Sequence, residues 1–139
     1  MSKFNFTKQE LSNFKELGVS SVILFGSRAL GLAAPNSDYD FGILLNKRGL
    51  LEMQKRKGEM LDALRDIFSS HILRLVDIDV VFLQSAPGEL QAHAVKHAQV
   101  LYEEKNGAFL NFKAKVMQEY ADFSPLRKIF HQGILSRIQ

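Results

Sequence analysis

The chain has 139 residues, enough for one hydrophobic core and short for two domains. Hydrophobic residues at 46% and charged residues at 24% are ordinary for a globular protein, and no apolar run approaches the ~20 residues of a membrane span. A net charge of +3 is too mild to mark a nucleic-acid binder, and the absence of cysteine excludes disulfides, thiolate metal sites and thiol nucleophiles.

Met1 to Phe6 contain no apolar signal region, so the expectation is a cytoplasmic protein without a membrane partner. Thr7-Lys8-Gln9-Glu10 fits a capping box, and Leu11, Phe14 and Leu17 follow at helical spacing with Gly18 as a stop. The next run, Val22-Ile23-Leu24-Phe25, is continuous and apolar, which suits a buried central strand. It ends at Gly26, where the missing Cβ lets backbone N–H groups approach a ligand. Ser27 adds a hydroxyl at the start of a short helix, and amides at such a start favour a phosphate. Arg28 is placed to reach a phosphate, the surface or a partner's carboxylate. Gly26 to Gly31 lacks the Gly-Lys-Ser/Thr ending of a Walker loop, so the phosphate grip must work differently.

After a short loop, Asp38-Tyr39-Asp40-Phe41-Gly42-Ile43-Leu44 alternates. On a strand Asp38 and Asp40 point to one face, while Tyr39, Phe41 and Ile43 point to the other and enter a core. Two carboxylates so spaced can share a pair of hard cations, which lie roughly 3.5–4 Å apart in two-metal sites.

Asn46 to Gly49 reads as a turn. Met60, Leu61, Leu64, Ile67 and Phe68 then mark an amphipathic helix that starts near Gly58 or takes in Leu50 to Met53. The basic bunches Lys47-Arg48 and Lys55-Arg56-Lys57 have no interleaved aromatics and read as a solvated loop and helix start. Val76 to Leu83 forms the next strand, with Asp77 and Asp79 on one face. A carboxylate buried there costs several kcal/mol unless it is paired or bound to a metal. Meeting Asp38 and Asp40 would be one reason for it; a salt bridge or a solvated strand end would be others. Asp79 is the choice because it lies deeper in the strand.

Ser85-Ala86-Pro87 opens another helix with Leu90, Ala94 and His97 or Ala98 on one side, and Val100-Leu101-Tyr102 is extended. His93 and His97 are four apart but lack the Glu of a zinc-protease pattern, so they read as exposed helix histidines. From Gly107 a long amphipathic helix carries Phe109, Phe112, Val116 and Tyr120. Ser124-Pro125 interrupts it, and Leu126, Ile129, Phe130 and Ile134 make a second stripe, read as a docking surface for a partner or a second copy.

Gly26-Ser27 followed by Asp38-x-Asp40 on a strand resembles the polymerase-β-like nucleotidyltransferase superfamily. The later motifs resemble the minimal nucleotidyltransferases (MNT) that act as antitoxins to HEPN ribonucleases. Asp79-Val80-Val81-Phe82-Leu83 matches the run headed by their third carboxylate, and Ala86-Pro87 and Val100 to Glu103 match the segments downstream of that run. Ala98 stands where members often carry a glycine, a departure that touches a turn and not the chemistry. The resemblance runs from about Val19 to Tyr120.

The expected fold class is therefore α/β: a short mixed β-sheet, flanking helices on one face, acidic groups on an open face, and a helical C-terminal segment. One domain would span 1–139, with its core at about 7–120 and an extension at about 121–139. The resemblance implies an Mg²⁺-dependent enzyme that moves AMP from ATP to a tyrosine hydroxyl of a HEPN toxin. It implies that Asp38, Asp40 and Asp79 hold two Mg²⁺ ions and that Gly26 and Ser27 hold the β- or γ-phosphate. The partners would be the toxin and ATP, with no direct nucleic-acid contact and room for a homo-oligomer. Two alternatives stay open. One is an antitoxin that only binds; the other is a small-molecule nucleotidyltransferase of the aminoglycoside type, for which the chain is short unless a dimer supplies the second substrate domain.

Overall fold

Thr7 caps the first helix as its sequence requires: its hydroxyl accepts from the Glu10 amide at 3.1 Å, and the Glu10 carboxylate accepts from the Thr7 amide at 2.9 Å. This helix, α1 (Lys8–Glu16), opens a computed structural model that describes residues 4–33, 37–73 and 75–120. Then come β1 (Val19–Phe25), α2 (Ser27–Leu30), β2 (Tyr39–Leu45), α3 (Lys47–Ser69), β3 (Ile78–Phe82), a 3₁₀ turn (Leu83–Ser85), α4 (Gly88–Lys96) and β4 (Gln99–Glu103). A last helix, α5, occupies 108–120. The expected terminal stripe from Leu126 to Ile134, and the break at Ser124-Pro125, lie outside the described residues.

The four strands form one sheet in the order β3-β2-β1-β4. β1 runs antiparallel to β2 and β4, while β3 runs parallel to β2, so the sheet is mixed as expected. Past the ends of β2 and β3 the Gln84 side chain continues the pairing, accepting from the Leu45 amide at 3.0 Å and donating to its carbonyl at 2.6 Å.

Alternation along the strands sorts the core into two layers. Val22, Leu24, Phe41, Ile43, Val80 and Phe82 face α1 and α3, where Phe41 stacks on Phe68 with centroids 4.0 Å apart. Ile23, Phe25 and Leu44 face the other way and pack against Ala94 and Val95 of α4 and Phe109 and Val116 of α5. Helices therefore cover both faces, and the expectation of an open second face is corrected. The run Val22 to Phe25 carries the reason: with no polar residue in alternation, both faces of β1 must be buried.

Two further expectations change. Asn46 is the cap of α3, its side chain accepting from the Gly49 amide at 3.0 Å, so the supposed turn is that helix's first turn. Leu50 to Met53 belong to α3, and its irregularity falls at Arg56 (φ −139°, ψ 41°) rather than at Gly58. On α4 the buried side runs through Ala94 and Val95 with Ala98 packed against the same layer; His97 is exposed. No helix among the described residues is long and apolar enough to cross a membrane.

Candidate active site

The site begins where β1 stops. Phe25 pairs with Asp40 across β1 and β2, and at Gly26 the chain takes φ 74° and ψ −159°, a region open essentially to glycine alone. A Cβ built on Gly26 would run into the Asp40 carboxylate. Glycine here is thus the condition for Asp40 to lie against the turn. Ser27 follows as the first residue of α2, exposed at its start.

Two ties hold this turn in place. The Arg28 guanidinium donates to the Ser37 carbonyl through Nη2 at 2.8 Å and Nε at 3.3 Å, and its plane lies 4.2 Å above the Tyr39 ring. Arg28 therefore ties down the stretch that carries Asp38 just before β2, a role the sequence reading did not include. At the other end of α2, Gln99 of β4 donates to the Ala29 carbonyl at 2.7 Å.

Asp40 and Asp79 are register partners on the parallel pair β2 and β3. Gly42 and Leu44 share Asp40's side of β2, away from Phe41 and Ile43, which places the carboxylate on the face covered by α4. Burial raises the Asp40 pKa, and the negative charges of Asp79 and then Asp38, with Asp79 as acceptor for the protonated Asp40 carboxyl, raise it further; His93 acts in the opposite sense. Asp40 is thus within electrostatic reach of both, of Asp79 more strongly than of Asp38.

Asp79 is exposed, since β3 lies at the sheet edge, so it is the solvated kind of strand aspartate rather than a buried one. Asp77 precedes β3, and its backbone carbonyl accepts the Tyr39 amide at 3.0 Å. Among the described residues no group of three or more His, Cys, Asp or Glu side chains is placed to hold a metal ion. What is present is the pair Asp40 and Asp79 in register, with Asp38 within electrostatic reach of Asp40. Such a donor set suits Mg²⁺, which takes one or two carboxylates and completes its shell with water and substrate phosphate. The repulsion that raises the Asp40 pKa is one that a bound cation would relieve.

One part of the site was not read from the sequence. A cavity of about 220 Å³ is lined by Phe25, Gly26, Ser27, Leu30 and Leu32 on one side and by His93, Lys96 and His97 on the other. The His93 ring meets Phe25 edge-on at 6.3 Å. Spacings of three and four put these residues on one side of α4, which was the available signal; that this side meets Gly26 depends on how α4 crosses the sheet.

The family described as polymerase beta nucleotidyltransferase matches residues 7–107. The chain belongs to that family. The matched span carries Gly26, Ser27, Asp38, Asp40 and Asp79, so this nucleotidyltransferase domain includes every site residue discussed so far. No curated protein matches the chain significantly. Among solved structures, one chain of a toxin–antitoxin crystal structure with AMP-PNP has a TM-score of 0.60 at 20% identity, covering 90% of this chain and 94% of that one. A chain of the toxin–antitoxin MntA–HepT gives 0.55 at 17% identity, with coverages of 93% and 99%. A chain from the tri-AMPylated Shewanella oneidensis HEPN toxin in complex with MNT antitoxin gives 0.54 at 18% identity, with coverages of 89% and 94%. At these identities the likeness establishes a shared fold, the mixed α/β nucleotidyltransferase fold expected from the motifs.

Proposed function

We propose that this nucleotidyltransferase is an antitoxin that transfers AMP from ATP to a tyrosine hydroxyl of a HEPN-type ribonuclease, with Mg²⁺ as its cofactor. The observation that carries the reading is the packing of Asp40 against Gly26 with Asp79 beside it in register, inside a domain of the nucleotidyltransferase family. That the structural neighbours come from toxin–antitoxin complexes, one with AMP-PNP and one with an AMPylated toxin, supports the choice of nucleotide and acceptor.

In this reading Asp38, Asp40 and Asp79 would hold the Mg²⁺ ions. When bound, these supply neutralising charge on the triphosphate and a lowered pKa for the acceptor hydroxyl. The Gly26 amide and the Ser27 hydroxyl hold the β- or γ-phosphate, leaving the α-phosphorus next to the carboxylates. The acceptor oxygen forms its bond to the α-phosphorus while the bond to the bridging oxygen breaks, pyrophosphate departs, and the hydroxyl proton is lost to solvent. Arg28 contributes indirectly, by fixing the approach of Asp38.

The test is co-expression with a candidate HEPN-type ribonuclease partner, followed by mass spectrometry of that partner. Wild type should add the mass of one or more AMP groups, whereas Asp38→Asn should bind the partner and add none. A partner silenced equally by both proteins, with no added mass, would replace the enzyme by a module that inhibits through contact.

A further inference from the structure

The described residues offer another hollow beside the Gly26 cavity. It holds about 320 Å³ and is lined by Glu89, Ala92, His93 and Lys96 of α4 with Met117 and Tyr120 of α5. His93 and Lys96 border both spaces, so α4 forms a ridge between them. Along that ridge His93 and Lys96 lie three apart on one side of α4, His97 follows as its C-cap, and all three are exposed. Lys96 makes no salt bridge to a carboxylate among the described residues. Glu89 lines the hollow on the α5 side, whereas the Gly26 cavity has no carboxylate in its lining among the described residues, so on that side Lys96 suits an anionic ligand.

The two ends of the ridge differ in their neighbours. His93 stands within electrostatic reach of Asp40, so this end faces the carboxylates. Lys96 and His97 lie further along the helix, over Gly26, Ser27, Leu30 and Leu32. A ligand whose reacting phosphorus sits at Asp40 and whose remaining phosphates pass Ser27 would have its tail beneath Lys96. Of the wall opposite, Leu30 and Leu32 are exposed and apolar, and Gly26 and Ser27 offer an amide and a hydroxyl but no charge, so α4 is the side that supplies the counter-charge.

We propose that the α4 ridge of Lys96, with His93 and His97 beside it, is a positioning site for the polyphosphate tail of the nucleotide and for the pyrophosphate that leaves. The inference rests on the nucleotidyl-transfer reading and adds to it the means by which a triphosphate is told from a monophosphate. Lys96 supplies a full charge on a flexible stem, and the imidazoles supply ring N–H donors. Lys96 is exposed on a helix whose core contacts are Ala94 and Val95, so replacing it leaves the packing intact; His97 is exposed at the helix end, and replacing His93 also removes its edge-on contact with Phe25.

Calorimetric titration with ATP, AMP and inorganic tripolyphosphate in the presence of Mg²⁺ tests this on the full chain. Lys96→Glu should weaken ATP and tripolyphosphate about tenfold or more, the range of a lost charge-assisted contact, and leave AMP unchanged. Lys96→Arg should recover most of the loss, and His93→Ala with His97→Ala should deepen it. Unaltered ATP affinity in Lys96→Glu, or an equal loss for AMP, would overturn the proposal. If wild type shows the Lys96-dependent preference for ATP yet leaves no AMP on the partner, the ridge stands and the transfer reading falls by itself.

Discussion

Alanine at Gly26 and at Gly31 should separate backbone strain from damage to the site. Both glycines have positive φ, 74° and 71°, but a Cβ on Gly31 meets nothing within 4 Å, whereas one on Gly26 strikes the Asp40 carboxylate. Gly31 lies in the left-handed region (ψ 16°), where an L-residue costs roughly 1–2 kcal/mol. Gly26 (ψ −159°) lies in a region essentially restricted to glycine, with a cost of about 1–3 kcal/mol. At about 3–4 °C per kcal/mol for a domain of this size, the melting temperature should fall by about 3–8 °C in Gly31→Ala and by about 3–12 °C in Gly26→Ala. The stability losses therefore overlap. Activity should not, because relief of the collision requires Asp40 to move, and a displacement of even about 1 Å at a reacting centre can cost 10²-fold. Thermal melts together with AMP incorporation below both melting temperatures give the comparison. If Gly26→Ala transfers as well as Gly31→Ala, the contact between Gly26 and Asp40 is not what organises the site.

Asp40→Asn should abolish transfer while leaving stability at pH 7 equal or higher. The raised Asp40 pKa means that the folded state pays for ionisation there, a cost complete above the folded pKa and absent below the unfolded one; a substantially lowered melting temperature would contradict this. Mg²⁺ should raise the melting temperature of wild type and not of Asp40→Asn, read by differential scanning fluorimetry. Asp79→Asn should keep much of the nucleotide binding and lose turnover, and Asp77→Asn should do less; the reverse order in a filter-binding and transfer assay would make Asp77 the third carboxylate. Remote from the site, His71 meets Glu10 at 2.8 Å. Burial pushes the Glu10 carboxyl up, but the Thr7 amide and His71 together bring it below its ordinary 4.5. The stability it adds is therefore complete above pH 4.5 and is lost as pH falls through the lower folded value. It is worth up to about 1 kcal/mol, and Glu10→Gln should flatten that part of the acid-unfolding curve.

How much of the molecule was legible in the sequence depends on how local each signal is. The capping box at Thr7, the strand that ends at Gly26 and the alternation from Tyr39 to Leu44 are each encoded within a few neighbouring residues and stand as expected, except that Asp38 falls just before β2 instead of on it. The Asn46 cap was misread because Asn-Lys-Arg-Gly satisfies turn chemistry as well as it satisfies the start of a helix. The exposure of Asp79 depends on strand order, since the same Ile-Asp-Val-Val-Phe pattern in the middle of a sheet would have buried it. The cover over the second face was implied by Val22 to Phe25, but only strand order and the path of α5 show which helices provide it. His93, Lys96 and His97 carried no recognisable motif. Their meaning comes from a crossing geometry that no periodicity encodes.

The side on which Asp40 emerges also bears on how the chain reaches this state. Its neighbours Tyr39 and Phe41 enter a cluster of aromatic rings with Phe4, Phe14 and Phe68, in edge-on, tilted and stacked contacts, while Asp40 leaves on the opposite side. A slip of one residue between β1 and β2 would drive the carboxylate into those rings and turn Phe41 outward, against a penalty of several kcal/mol. Misaligned hairpins are thus rejected by the residue that the chemistry requires, so the acidic strand proofreads its own alignment during folding. Asp40→Asn weakens that check and Asp40→Leu removes it, so a hydrophobic replacement should refold more slowly and with more aggregate than the amide, even where the two proteins are equally stable.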